Sequence, residues 1–135
     1  MSTSALVLAL FIAWTLLLLV VMEVLRSHLV VTGRLRSNEF DPENSKLSPF
    51  MQRLARAHAN CLEGLPVFGG LLVVALVTGR SDMTDPLAPW LLVARIVQSG
   101  IHLASTSVAA VNARFTAFAV QMAIAIYWAW ALIVR

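Results

Sequence analysis

Residues 4–22 read SALVLALFIAWTLLLLVVM, a run of 19 residues without a single charged side chain. As a helix rising 1.5 Å per residue it covers about 28 Å, close to the roughly 30 Å hydrocarbon core of a bilayer. The remainder of the chain has the same character. Of its 135 residues 59% are hydrophobic and 13% charged, and the mean hydropathy is +0.81. Soluble domains carry about a quarter charged residues. The polar surface is therefore too small to coat a globule in water, and lipid is the expected solvent.

Working outward, the first helix is expected over about 4–31, passing through Glu23 and Arg26 and stopped by Gly33. The polar stretch 34–47, with Asp41-Pro42, reads as a loop. Ser48-Pro49 is an N-cap followed by proline at the first helical position. It opens a second helix over about 49–78, kinked at Pro66 and stopped by Gly79. Asp85-Pro86 repeats the cap signal for a third helix over about 86–110, and Asn112 caps a fourth over about 112–134. The fold class is all-α, an integral membrane four-helix bundle forming one domain over 1–135.

Several classes of function fall away. The first 22 residues hold no Lys or Arg, so the basic region of a cleavable signal is missing. The lone Cys61 excludes an intramolecular disulfide and a cysteine-based metal site, and no metal is expected. The formal charge of +3 is no sign of nucleic-acid binding, because the basic residues gather at helix ends as in membrane proteins. Arg26, Arg34, Arg36, Lys46, Arg53, Arg56 and Arg114 fall on the face with the first and third loops. Arg80 and Arg135 fall on the other. Seven against two places the first and third loops in the cytoplasm and both termini outside.

Charge inside the membrane region needs a reason, since it costs about 2.5–3.5 kcal/mol at the bilayer centre on insertion scales. Arg53, Arg56, Asn60 and Glu63 fall within roughly 80° of arc on the second helix. Arg95, Gln98, His102 and Ser105 repeat the same spacing on the third. Glu23 and Arg26 on the first helix, and Arg114 and Gln121 on the fourth, join them in an antiparallel bundle as an arginine-rich cleft near the cytoplasmic side. Paired ions that merely fix helix register are the bland account, but two matching stripes favour a site. Cys61 and His58 lie off the stripe; Trp90, Trp128 and Trp130 fit an interfacial belt. Several arginines with a carboxylate and an amide suit a zwitterion with excess negative charge. Arginine forks take carboxylates, Glu63 an ammonium and Asn60 a peptide amide. Glutathione has this chemistry, as do other anionic ligands.

The run from Arg53 through Arg56, Asn60 and Glu63 to Pro66 and Phe68 resembles the second-helix signature of the MAPEG superfamily, the membrane-associated proteins of eicosanoid and glutathione metabolism. Leukotriene-C synthase and microsomal prostaglandin-E synthase share a similar Arg-Ala-x-x-Asn-x-x-Glu core. Thr32 to Arg36, Asp41 to Glu43, and Arg95 are similar in position to elements of the prostaglandin synthase. The resemblance implies a homotrimer binding glutathione between subunits on the cytoplasmic side. It assigns ligand-binding or supporting roles to Arg36, Arg53, Arg56, Asn60, Glu63 and Arg95; Gln98 on the third-helix stripe joins them. His102 stands where relatives have a tyrosine that contacts glutathione; Ala59 replaces an arginine. Arg114 matches the arginine that stabilises the thiolate, with Phe115 following it in place of serine. The implied activity is a glutathione-dependent transferase or peroxidase acting on a lipophilic electrophile or lipid hydroperoxide. The alternatives are a non-catalytic binding or regulatory protein of the same family, and a small proton-coupled multidrug transporter using Glu23. The fixed positive charge of the cleft argues against the last.

Overall fold

Ser2 opens the first helix, α1 (Thr3–Val31), by accepting the Ala5 N–H on its Oγ at 3.1 Å. At the far end Gly33 adopts φ +76°. Its N–H bonds the Val30 carbonyl and that of Arg34 bonds Leu29, both at 3.0 Å. This is a Schellman stop, which needs a residue free of the Cβ penalty at positive φ. Gly79 (φ +69°) ends the second helix in the same way, with bonds from Gly79 to Leu76 and from Arg80 to Ala75.

The computed structural model describes residues 1–135 as helices joined by short connections, with no strand. The second helix, α2 (Pro49–Val77), starts at Ser48, whose Oγ accepts the Met51 N–H. Over Leu65–Gly69 it widens into a π turn. Pro66 has no N–H for the carbonyl one turn back and its ring crowds that turn, so a looser turn relieves the conflict. A 3₁₀ turn (Ser81–Met83) leads to α3 (Ala88–Ala104), and α4 (Val108–Val134) completes the bundle.

α3 packs against each of the other three helices. Its N-terminal half meets a core of Phe11, Phe68, Leu72, Leu91 and Trp128. A second core of Leu18, Met22, Leu54, Ala57 and Cys61 joins α1 to α2 nearer the loop of residues 34–48. α1, α2 and α4 are each long and apolar enough to cross a membrane. α3, at 17 residues, spans about 26 Å and is the short central member. Length, composition and helix arrangement make this an integral membrane protein.

The structure departs from the sequence expectations around the third helix. That helix stops at Ala104 rather than near residue 110, because Ser105 turns extended (φ −160°, ψ 154°). Arg53 stabilises the stop by donating its Nε to the Leu103 carbonyl at 2.9 Å, one of the orphan acceptors of a helix C-terminus. Ser105 thus lies beyond the helix and drops from the polar stripe. The cap of the fourth helix is Ser107, which accepts the Ala110 N–H, and not Asn112. Asp85 does not cap the third helix either. Its Oδ1 accepts from Ser4 N at 2.8 Å and Ser4 Oγ at 2.6 Å, fastening the first turn of α1 across the bundle.

Glu23 and Arg26 also serve a different end from the cleft. Arg26 pairs with Glu23 at 3.2 Å. It donates to the Asn44 side chain and the Asp41 carbonyl, with its Cζ 5.7 Å from the Phe40 ring centroid. Buried Asn44 passes the link to the Met51 carbonyl. Arg26 therefore organises the 34–48 loop. Within that loop Ser45 donates its N–H and Oγ to the Asp41 carboxylate, which holds the Asp41 pKa below its ordinary value.

Candidate functional site

The stripes of α2 and α3 meet. Asn60 Nδ2 lies 3.4 Å from His102 Nδ1, and buried Cys61 and Ser99 touch through Sγ and Oγ at 3.3 Å. On the α4 side the Gln121 amide donates to Gln98 Oε1 at 2.8 Å. α2, α3 and α4 thus form the walls of a continuous cleft whose two parts share Asn60, Gln98 and Phe118.

The polar part, about 280 Å³, is lined by Arg56, His102 and Arg114 beside the shared residues, with Phe115 at its edge. Arg56 is exposed, Arg114 half-buried and His102 buried. Neither arginine has a carboxylate within 4.0 Å, since the ion pairs of the chain are Arg26–Glu23 and Arg36–Glu39. A further recess of about 250 Å³, toward the start of α2, is lined by Arg53, Arg56 and His102 among others. Two free guanidinium groups around an imidazole and an amide form an anion-accepting surface.

The deeper part, about 540 Å³, is mainly apolar, with Val67, Phe68, Met122 and Ile126 below Asn60, Glu63 and Arg95. Phe68 and Phe118 meet edge to face, 6.4 Å between centroids. Arg95 is 1% exposed. Its Cζ lies 5.5 Å from the Phe11 centroid and 5.6 Å from that of Phe68. Its Nε has no hydrogen-bond partner, and no acid pairs with it. A buried, unpaired guanidinium is costly unless something meets it, and Arg95 lines the cleft. Glu63, also on the lining, is exposed and free of ion pairs.

The structure brings together Arg56, Asn60, Glu63, Arg95, Gln98, His102 and Arg114 on one cleft. Arg53 stands beside it but commits its Nε to the end of α3. Arg36 lines neither part; it is exposed in the loop and held by Glu39, whose Oε1 also accepts the Arg36 N–H. Sequence reasoning missed Gly64 and the apolar floor. A Cβ on Gly64 would lie 2.8 Å from Arg95 Nη2, so the bare backbone is what admits the guanidinium. Gly64 adjoins Glu63 in sequence, but only the packing of α3 shows its purpose.

Against this geometry, the model of the MAPEG family matches residues 4–134. The chain belongs to the MAPEG family. Comparison with curated proteins and with solved structures gives no significant match. The MAPEG family includes glutathione transferases and related proteins of eicosanoid metabolism, together with non-catalytic members. In this MAPEG protein the helix-two motif faces the cleft through Arg56, Asn60 and Glu63.

Proposed function

We propose that the protein is a glutathione-dependent transferase or peroxidase acting on lipophilic electrophiles or lipid hydroperoxides. The observation that carries this reading is the two-part cleft. Its cationic part, with Arg56 and Arg114, continues into an apolar part floored by Val67, Phe68, Met122 and Ile126. A hydrophilic anion and a lipid-soluble molecule can thus occupy one connected space.

The donor set fits glutathione. Arg56 and Arg114 offer forks to its carboxylates, Glu63 an acceptor to its ammonium, and Asn60 and Gln98 partners to its amides. The orphaned Arg95 Nε gives a buried donor that a ligand acceptor would satisfy. Glutathione when bound would supply a thiol that reacts as the thiolate. Arg114, at the first turns of α4, adds fixed positive charge where the helix N-terminus is already partly positive. Val67 and Ile126 are exposed in the single protomer, so this apolar part opens sideways and would admit a substrate from the bilayer.

We also assign the active form to a homotrimer with the cleft toward the cytoplasm and both termini on the opposite face. Arg56 and Glu63 are exposed in the single protomer. A second copy that covers them would spare charged groups from facing lipid. Arg36, exposed on its loop, would exchange its 3.9 Å pairing with Glu39 for a ligand carboxylate in a neighbour's cleft.

The test is conjugation of glutathione to a chromogenic aryl halide, measured beside glutathione-dependent melting in mild detergent. Turnover with a raised melting temperature supports the enzyme. Stabilisation without turnover on halides or hydroperoxides supports a non-catalytic binding or regulatory protein instead. Absence of both would end the glutathione reading. Native mass spectrometry of the same sample tests the trimer, which a stable monomer that still binds glutathione would contradict.

A further inference from the structure

A second cleft lies away from the candidate site, between the C-terminal end of α1 and the start of α2. It has a volume of about 450 Å³. Six apolar side chains line its interior: Leu25, Leu29, Leu35, Leu47, Phe50 and Met51. His28, Arg34, Lys46 and Ser48 supply the polar lining, and none of the lining residues is acidic.

No acid contacts the positive charge at this rim. Neither Arg34 nor Lys46 forms an ion pair. Glu23 is committed to Arg26 and Glu39 to Arg36, while Asp41, bonded to Ser45, and Glu43 share the loop of Lys46 without coming within 4.0 Å of it. The Schellman stop at Gly33 reverses the chain so that the Arg34 N–H reaches the Leu29 carbonyl, returning Arg34 over the last turn of α1. Across the gap is the N-terminal end of α2. There Pro49 has no N–H, Ser48 takes that of Met51, and that of Phe50 has no partner in the chain. The helix end adds a partial positive charge of its own.

The cleft's height in the membrane is set by its helices. It begins where the uncharged run of α1 gives way to polar residues, at the headgroup boundary. A cationic rim above an apolar interior at that level matches one chemistry, an anionic head carrying hydrocarbon. We propose that this cleft is a binding site for an anionic phospholipid. Arg34 and Lys46 take the phosphate, and the leucines, Phe50 and Met51 take the first part of an acyl chain. The site is separate from the glutathione reading and stands whether or not that reading holds.

The experiment is native mass spectrometry of the whole protein released from phosphatidylcholine membranes containing phosphatidylglycerol, beside an Arg34→Gln/Lys46→Gln variant. Wild type should retain phosphatidylglycerol in preference to phosphatidylcholine. The double variant should lose that preference by roughly 30-fold, from about fivefold for each interfacial charge. Leu29→Asn, which keeps both charges, should weaken retention while leaving the choice of headgroup. Inorganic phosphate and glycerol phosphate should not compete. Equal retention of the two lipids, or an unaltered preference in the double variant, would overturn the proposal. Full competition by glycerol phosphate would assign the cleft to a soluble anion and overturn it too. A variant that loses subunit association but keeps its lipid preference would show the cleft to be a contact between copies, which also overturns the lipid assignment.

Discussion

Replacing Gly64 by alanine sets two opposed effects against each other. Gly64 is helical (φ −77°), so alanine suits its backbone and by propensity alone should stabilise by about 0.8–1 kcal/mol. Its Cβ, however, would lie 2.8 Å from Arg95 Nη2 and 3.1 Å from Phe68 Cδ2 and Cε2. An arginine tip usually moves aside easily. This one is buried, with Phe11 on one side and Phe68 on the other. Overpacking costs about 1–3 kcal/mol, and a disturbed cation–π contact about 0.5–2 kcal/mol. The steric side wins, with a net loss of about 2 kcal/mol. Melting in detergent should show the lower stability, and glutathione titration should show weaker binding because Arg95 has left its place. In an Arg95→Ala background the same change should cost at least about 1 kcal/mol less, a coupling that a double-mutant cycle isolates. A Gly64→Ala protein that melts at or above wild type and binds glutathione equally well would refute the steric role of this glycine.

Arg56→Ala and Glu63→Gln should each weaken glutathione binding, by roughly 30-fold or more if each removes a contact worth about 2–5 kcal/mol; calorimetry that finds neither affected would move the ligand elsewhere. Arg114→Ala should raise the spectroscopic thiolate titration of bound glutathione by about one unit or more towards the free-thiol value near 8.5, while affinity falls less. If His102→Ala produces that rise instead, and the wild-type thiolate signal declines as a histidine deprotonates, the imidazole is the activating cation. A wild-type titration near that of free glutathione would rule out both. Cysteine labelling of the proposed orientation should mark position 45 from the cytoplasmic side and position 82 from the other, and the reverse would invert the topology.

Local signals carried most of the helical framework. Gly33 and Gly79 both adopt the positive φ that makes glycine a helix stop, and Ser48 caps α2 ahead of Pro49. These features depend on neighbours within a few residues, which a linear reading sees. The break at residues 105–107 could not be read in that way. Serine and threonine are tolerated inside membrane helices, and the stop is supported by Arg53, fifty positions earlier. The separate duties of the arginines were hidden for the same reason. Arg80 donates to the Leu132 and Ala131 carbonyls at 2.8 and 2.9 Å, and Arg26 ties down a loop. Arg95 alone is buried without a carboxylate or a carbonyl to meet it. Spacing placed Arg56, Asn60 and Glu63 on one face, but the apolar floor needed the crossing of α4 over α2, which no single helix reveals.

The π turn at Leu65–Gly69 makes chain length itself a determinant of this protein. Such a turn closes over one residue more than an α turn, so the segment behaves as a built-in insertion within α2. If the helix closed regularly here with its residue count unchanged, the register beyond would slip by one residue. Everything beyond would then rotate by about 100° relative to Asn60 and Glu63. Leu72 and Ala75, both completely buried, would turn out of the core, and the Gly79 stop would aim Arg80 away from the end of α4. Relatives that align without gaps through this segment are therefore expected to keep the wide turn whether or not they keep the proline, because losing it would require a compensating change in residue count.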